Sequence, residues 1–153
     1  MDLPIRAFYL NGYEGKIELV ITEVLGFLDT TSYEGGYDVK GNLHINVGCY
    51  TARFEDFYFA TGVLYRFMEG LEKCYKTLSG KAEYKHLLEN DLEFTLEMTS
   101  LGHARINGTF QENPAVNTKL NFELSTDQTC IKLAIDDIKN IQNIFGSYSG
   151  LKG

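Results

Sequence analysis

The chain has 153 residues, 44% hydrophobic and 23% charged, a mix that suits one α+β domain over residues 1–153 and excludes overall disorder. Its net charge of −7, from 21 acids and 14 bases, opposes direct nucleic-acid binding, which needs clustered Lys and Arg against phosphates. No run approaches the roughly 20 apolar residues that span a bilayer, and Met1–Arg6 lacks the basic-then-apolar order of a secretory signal. A cytoplasmic protein with no membrane partner is therefore expected.

In the first half, Ile5 to Leu10 and Lys16 to Val24 read as a hairpin around Asn11-Gly12-Tyr13-Glu14-Gly15. Asp29 to Gly36 is a polar loop ending in glycine. From Asn42 to Tyr50, alternation turns Leu43, Ile45, Val47 and Cys49 inward and His44 outward. Ala52 to Phe59 is an aromatic strand in which Phe54 and Phe57 break strict alternation, the mark of a bulge. Tyr50 and Tyr58 are expected in the core.

From Ala60 to Leu78, the residues Ala60, Val63, Leu64, Phe67, Met68, Leu71, Cys74, Tyr75 and Leu78 recur at three-and-four spacing, which predicts an amphipathic helix. Ser79-Gly80 ends it. Ala82 to Leu88 reads as a strand with His86 on the side of Ala82, Tyr84 and Leu88. Leu92 to Met98, Gly102 to Phe110 and Lys119 to Leu124 alternate with period two, one face buried and one wet, as antiparallel strands do. Gly108 reads as a bulge, and Gln111 to Asn117, with Pro114, as a loop. A second helix runs from Gln128 to Phe145, with Asp127 as N-cap, Gly146 just past the end, and Ile131, Ala134, Ile135, Ile138, Ile141, Ile144 and Phe145 as its apolar stripe.

The predicted fold is thus α+β: an antiparallel array of about eight strands, in one sheet or two, covered by amphipathic helices near 60–78 and 128–145. The order of four strands, helix, four strands, helix fits a distant duplication in which each helix covers its own sheet, although no residue-level repeat supports one.

Little in the sequence carries catalysis. Cys49, Cys74 and Cys130 are odd in number and lack CxxC spacing, so they read as buried small hydrophobes. His44, His86 and His103 stand in no metal-ligand spacing, and no nucleotide-binding or nucleophile motif occurs. No catalytic residue, cofactor or metal is expected. Glu93 and Glu97 fall on the wet face of one strand, and Asp136 and Asp137 point away from the helix stripe.

The first 40 residues are more informative. They carry Asp2, Glu14, Glu18, Glu23, Asp29, Glu34 and Asp38 against Arg6, Lys16 and Lys40. Tyr13, Tyr33 and Tyr37 lie beside acids, and tyrosine is enriched at interfaces because its large ring has a polar tip. For Tyr33 and Tyr37 both an interface and a core reading stand. The candidate partner-binding residues, chosen for loop placement, are Glu14, Asp29, Tyr33, Glu34, Tyr37 and Asp38, with Glu55 and Asp56 in reserve.

Further along, Leu78-Ser79-Gly80-Lys81-Ala82-Glu83-Tyr84 precedes the strand Leu92 to Met98. Gly102-His103-Ala104-Arg105-Ile106-Asn107-Gly108, the strand Leu120 to Leu124, and Thr126-Asp127-Gln128-Thr129 follow. This order, over roughly residues 36 to 146, resembles the WapI family of bacterial immunity proteins. A tryptophan expected near residues 42 to 47 is absent, and the first 35 residues fall outside the resemblance. The resemblance implies a non-enzymatic protein that neutralises a polymorphic, contact-delivered toxin by binding its C-terminal domain, often a nuclease. Two other readings stand beside it. One is a small-molecule-binding domain or enzyme with a pocket between sheet and helix, using His86, His103 and Arg105. The other is a structural module that oligomerises.

Overall fold

The computed structural model describes residues 2–87 and 91–151. The strands β1 (Ile5–Asn11), β2 (Gly15–Leu25), β3 (Asp38–Val47) and β4 (Tyr50–Ala60) pair in chain order as an antiparallel meander, followed by helix α1 (Thr61–Thr77). The strands β5 (Lys81–Tyr84), β6 (Leu92–Met98), β7 (His103–Phe110) and β8 (Leu120–Asp127) form a second such meander, followed by helix α2 (Gln128–Phe145). The expected α+β class, with eight antiparallel strands in two sheets and two helices, is the fold the chain adopts. The strand expected over 82–88 ends at Tyr84, and Leu88 lies outside the described residues.

Alternation builds each sheet. Ile17, Leu19 and Ile21 on β2, Leu43 and Ile45 on β3, and Leu92, Phe94 and Leu96 on β6 are all buried. Between Gly41↔Phe57 and Leu43↔Phe54 the register slips, so Glu55 and Asp56 of β4 face the single Asn42 of β3. This bulge inverts the parity of β4. Phe54 packs against the core from one side of it, Phe57 and Phe59 are buried on the other, and Tyr58 turns out to solvent.

Several expectations are corrected. Tyr50 and Tyr58 are exposed, Tyr50 at the start of β4 and Tyr58 because of the bulge. Cys49 occupies the β3–β4 turn and is exposed, whereas Cys74 is buried and Cys130 half-buried. Gly108 is no bulge: it pairs with Phe94 and Phe122 without a register shift. Glycine stands there because a Cβ would lie 2.4 Å from Phe94 Cβ and 2.7 Å from Phe122 Cζ. Helix α1 stops at Leu78, which takes the left-handed conformation and donates its N–H to the Cys74 carbonyl, and Tyr75 is part-exposed.

The helices do not cover their own sheets. Helix α1 packs along β5 and α2 along β1, and the two helices touch each other. Gly70 of α1 permits this approach, because a Cβ there would sit 2.9 Å from Ala82 Cα. Phe67 of α1 meets Tyr84 of β5, Phe94 of β6 and Phe8 of β1 with ring centroids 5.2–6.0 Å apart. Buried residues from both sheets and both helices join one hydrophobic cluster. Each large apolar side chain buried this way contributes about 1.5–3 kcal/mol. The sheets are also tied through the β1–β2 turn: Tyr13 donates its N–H to the Ser125 carbonyl at 2.9 Å, and Thr126 Oγ1 donates to the Asn11 carbonyl at 2.7 Å. Among the described residues no helix is long and apolar enough to cross a membrane.

Candidate partner-binding site

The polar loop before β3 is a built element. Gly35 N–H donates to the Ser32 carbonyl at 3.0 Å, Ser32 N–H to Gly36 at 2.7 Å, and Glu34 N–H to Ser32 Oγ at 3.1 Å. Gly35 and Gly36 have φ of +95° and +67°, a region other residues adopt only under strain. The loop is pinned from behind. Gly36 N–H donates to the Tyr148 carbonyl at 2.7 Å, Gly62 N–H to Gly35 at 3.0 Å, and Tyr37 N–H to Thr61 Oγ1 at 3.0 Å.

This turn sends neighbouring side chains opposite ways. Tyr33 stands in solvent, 82% exposed. Glu34 turns inward: its Oε1 accepts the Leu87 N–H and lies 3.6 Å from Arg66 Nη2, while Arg66 Nη1 donates to its carbonyl at 2.8 Å. His86, 3% exposed, brings Nδ1 within 3.7 Å of Glu34 Oε2. Its Nε2 is 3.8 Å from Asp91 Oδ1 and has no hydrogen-bond partner among the described residues. The Tyr84 hydroxyl beside this cluster is also buried, with no hydrogen-bond partner among the described residues. Burial first, and then the Asp91 and Glu34 carboxylates, push its phenol well above the ordinary tyrosine range.

Over this cluster opens a cleft of about 390 Å³, bounded by Leu25, Ser32, Tyr33, Glu34, Asp38, Val39, Tyr58, Phe59 and His86. Val39 and Phe59 are buried, Tyr58 is 52% exposed, and Asp38 is exposed. Among the described residues Asp38 makes no ion pair or side-chain hydrogen bond. The rim therefore combines two exposed tyrosines with an uncompensated carboxylate, above an apolar floor.

Three of the six sequence-derived candidates, Tyr33, Glu34 and Asp38, meet at this cleft. Tyr37 does not: it is fully buried, donates its hydroxyl to the Leu28 carbonyl at 3.0 Å and accepts the Leu151 N–H at 3.1 Å. Its core reading is the one the structure has, because the backbone after the Gly35-Gly36 turn enters β3. Glu14 lies elsewhere, hydrogen-bonded to Ser125. Asp29 is exposed on the turn after Gly26, outside the cleft lining, and Asp56 of the β4 bulge pairs with Lys40 at 3.6 Å. Tyr58 was missed, although carrying the predicted bulge through the alternation turns it outward.

The residues of the rival pocket do not converge. His86 is buried beside Glu34, whereas His103 and Arg105 stand exposed on β7, with Arg105 Nε 3.7 Å from Glu123. A larger and more open depression of about 690 Å³ on the second sheet is lined by polar residues such as Thr95, Asn107, Thr109 and Asn121. It carries no exposed aromatic ring, so the Tyr33–Tyr58 cleft is the stronger candidate for a protein partner. Among the described residues no three His, Cys, Asp or Glu side chains are grouped to hold a metal.

Two four-stranded meanders, two helices in mutual contact and a tyrosine-rimmed cleft define a protein of the two-sheet α+β class. The chain belongs to the immunity protein WapI-like family, whose sequence pattern matches residues 8–146. The match begins within β1, so the N-terminal hairpin, expected to fall outside the resemblance, is part of the family pattern. No curated protein matches the chain. Membership suggests an immunity protein, and with it a protein partner.

Proposed function

We propose that this chain neutralises a polymorphic, contact-delivered toxin by tight, non-enzymatic binding in the cytoplasm of the producing cell. The observation that carries this reading is family membership over residues 8–146. The docking surface in this reading is the cleft rimmed by Tyr33, Asp38 and Tyr58, and the occupant is the C-terminal domain of a secreted toxin. Exposed tyrosines supply large contact area at low entropic cost. If the toxin is a nuclease, its active site is basic, and a chain of net charge −7 is steered toward it.

The test is affinity capture from lysate of the source cells, with Asp38→Lys as control. Asp38 is chosen because it is exposed, whereas reversing Glu34 would break its bonds to Leu87 and Arg66. Recovery of a toxin C-terminal domain by the wild type and its loss with the variant is the expected result. Recovery of no toxin, or equal recovery by both, goes against the docking reading.

A further inference from the structure

We infer that the Tyr33–Tyr58 cleft receives an arginine side chain of the partner, an inference that rests on the proposed docking surface and specifies its chemistry. Three features of the cleft select this group. Among the described residues, Asp38 is the carboxylate of the lining left uncompensated, because Glu34 already faces Arg66 and His86. It supplies a bidentate acceptor for a planar cation. Tyr33 and Tyr58 rim the same cleft with exposed rings that make no ring contact among the described residues. Aromatic faces attract a guanidinium, which stacks on them more readily than a compact, strongly hydrated ammonium does. Below the rim, Val39 and Phe59 offer an apolar lining against which a three-carbon stem can lie.

A second, independent mark is His86. It lines the same cleft, is almost wholly buried, and has no hydrogen-bond partner on Nε2 among the described residues. Buried polar atoms are rarely left unpaired, so this one sets His86 apart from an ordinary core residue. The ring lies between two carboxylates, Glu34 Oε2 at 3.7 Å from Nδ1 and Asp91 Oδ1 at 3.8 Å from Nε2, so the floor of the cleft adds negative charge beneath Asp38. A guanidinium carries five N–H donors and a positive charge, enough to serve Asp38 while its charge balances the carboxylates of the floor. An acidic partner side chain is repelled by Asp38, and a neutral one leaves its charge unbalanced.

The test is a titration of the isotope-labelled full chain with N-acetyl-arginine amide, followed by NMR, beside N-acetyl-lysine amide and the neutral isostere N-acetyl-citrulline amide. Saturable shifts at Tyr33, Asp38, Tyr58 and His86 are expected with the arginine probe, weaker ones with lysine, and none with citrulline. Asp38→Asn is expected to weaken the arginine probe about tenfold, and Tyr58→Ala to weaken it several-fold while the rest of the spectrum stays unchanged. Unmoved cleft signals, or equal shifts from arginine and citrulline, would overturn the inference. Loss of toxin capture by Asp38→Lys with no arginine binding would leave the docking reading standing and sink this one. Arginine binding without any toxin captured would do the reverse.

Discussion

Glu14 Oε1 accepts the Ser125 backbone N–H at 2.7 Å and its Oε2 accepts the Ser125 hydroxyl at 3.1 Å, so the turn of the first hairpin is clamped to the last strand of the second sheet. The Ser125 N–H is also the main reason the Glu14 carboxyl titrates below its ordinary value of 4.5. A carboxyl with a depressed folded pKa adds stability above its unfolded pKa, and that stability is lost as pH falls through the folded value. Glu14→Gln is therefore expected to lower Tm near neutral pH, with the gap to wild type closing as pH drops below 4.5. Because Glu14 is exposed, the neutral-pH cost is about 1 kcal/mol. A gap that is independent of pH would contradict the clamp.

Tyr33 and Tyr37 are four positions apart and make opposite predictions. Tyr37→Phe keeps the buried ring but removes the hydroxyl that joins Leu28 to Leu151. It is expected to cost about 1–2 kcal/mol in denaturant unfolding and to leave partner affinity unchanged. Tyr33→Ala touches only an exposed ring, so stability should stay within about 0.5 kcal/mol of wild type. Partner affinity should fall by about 2 kcal/mol in calorimetry, as for an interface anchor.

Gly108 tests the packing between the strands of the second sheet. The methyl of Gly108→Ala would meet Phe94 Cβ, Phe122 Cζ and the Glu93 carbonyl at 2.4–2.7 Å. Overpacking of this kind typically costs about 1–3 kcal/mol. Chemical denaturation should show that loss, while a neutral result would mean that the rings of Phe94 and Phe122 yield freely.

Asp127 caps α2 by accepting the N–H groups of Thr129 at 3.0 Å and Cys130 at 3.2 Å. Asp127→Ala should lower stability by about 1 kcal/mol, and Asp127→Ser should restore most of it. Circular dichroism melts of the three proteins would show the order.

The pattern of residues disclosed most of the secondary structure, since alternation and three-and-four spacing are local consequences of which face is buried. Asp127 as a cap and the bulge in β4 were legible for the same reason. The partner of each helix was not. A stripe such as Val63, Phe67 and Leu71 reveals burial without naming the surface that buries it, so the crossing of α1 to β5 and α2 to β1 had no local trace. Gly108 misled because a glycine that avoids a ring and a glycine that opens a bulge look alike in sequence. Among the residues of the cleft, loop composition brought out Tyr33 and Asp38. The inward turn of Glu34 and the burial of Tyr37 depend on Arg66, Thr61 and Leu151, all distant in the chain.

The most direct measurement of the central claim is growth rescue. The toxin C-terminal domain captured by the chain would be expressed in sensitive cells together with wild-type protein or with the Tyr33→Ala/Asp38→Lys variant, whose fold is checked by its melt. The account predicts growth with the wild type and arrest with the folded variant. Arrest in both would contradict neutralisation, and growth in both would contradict the cleft as its site.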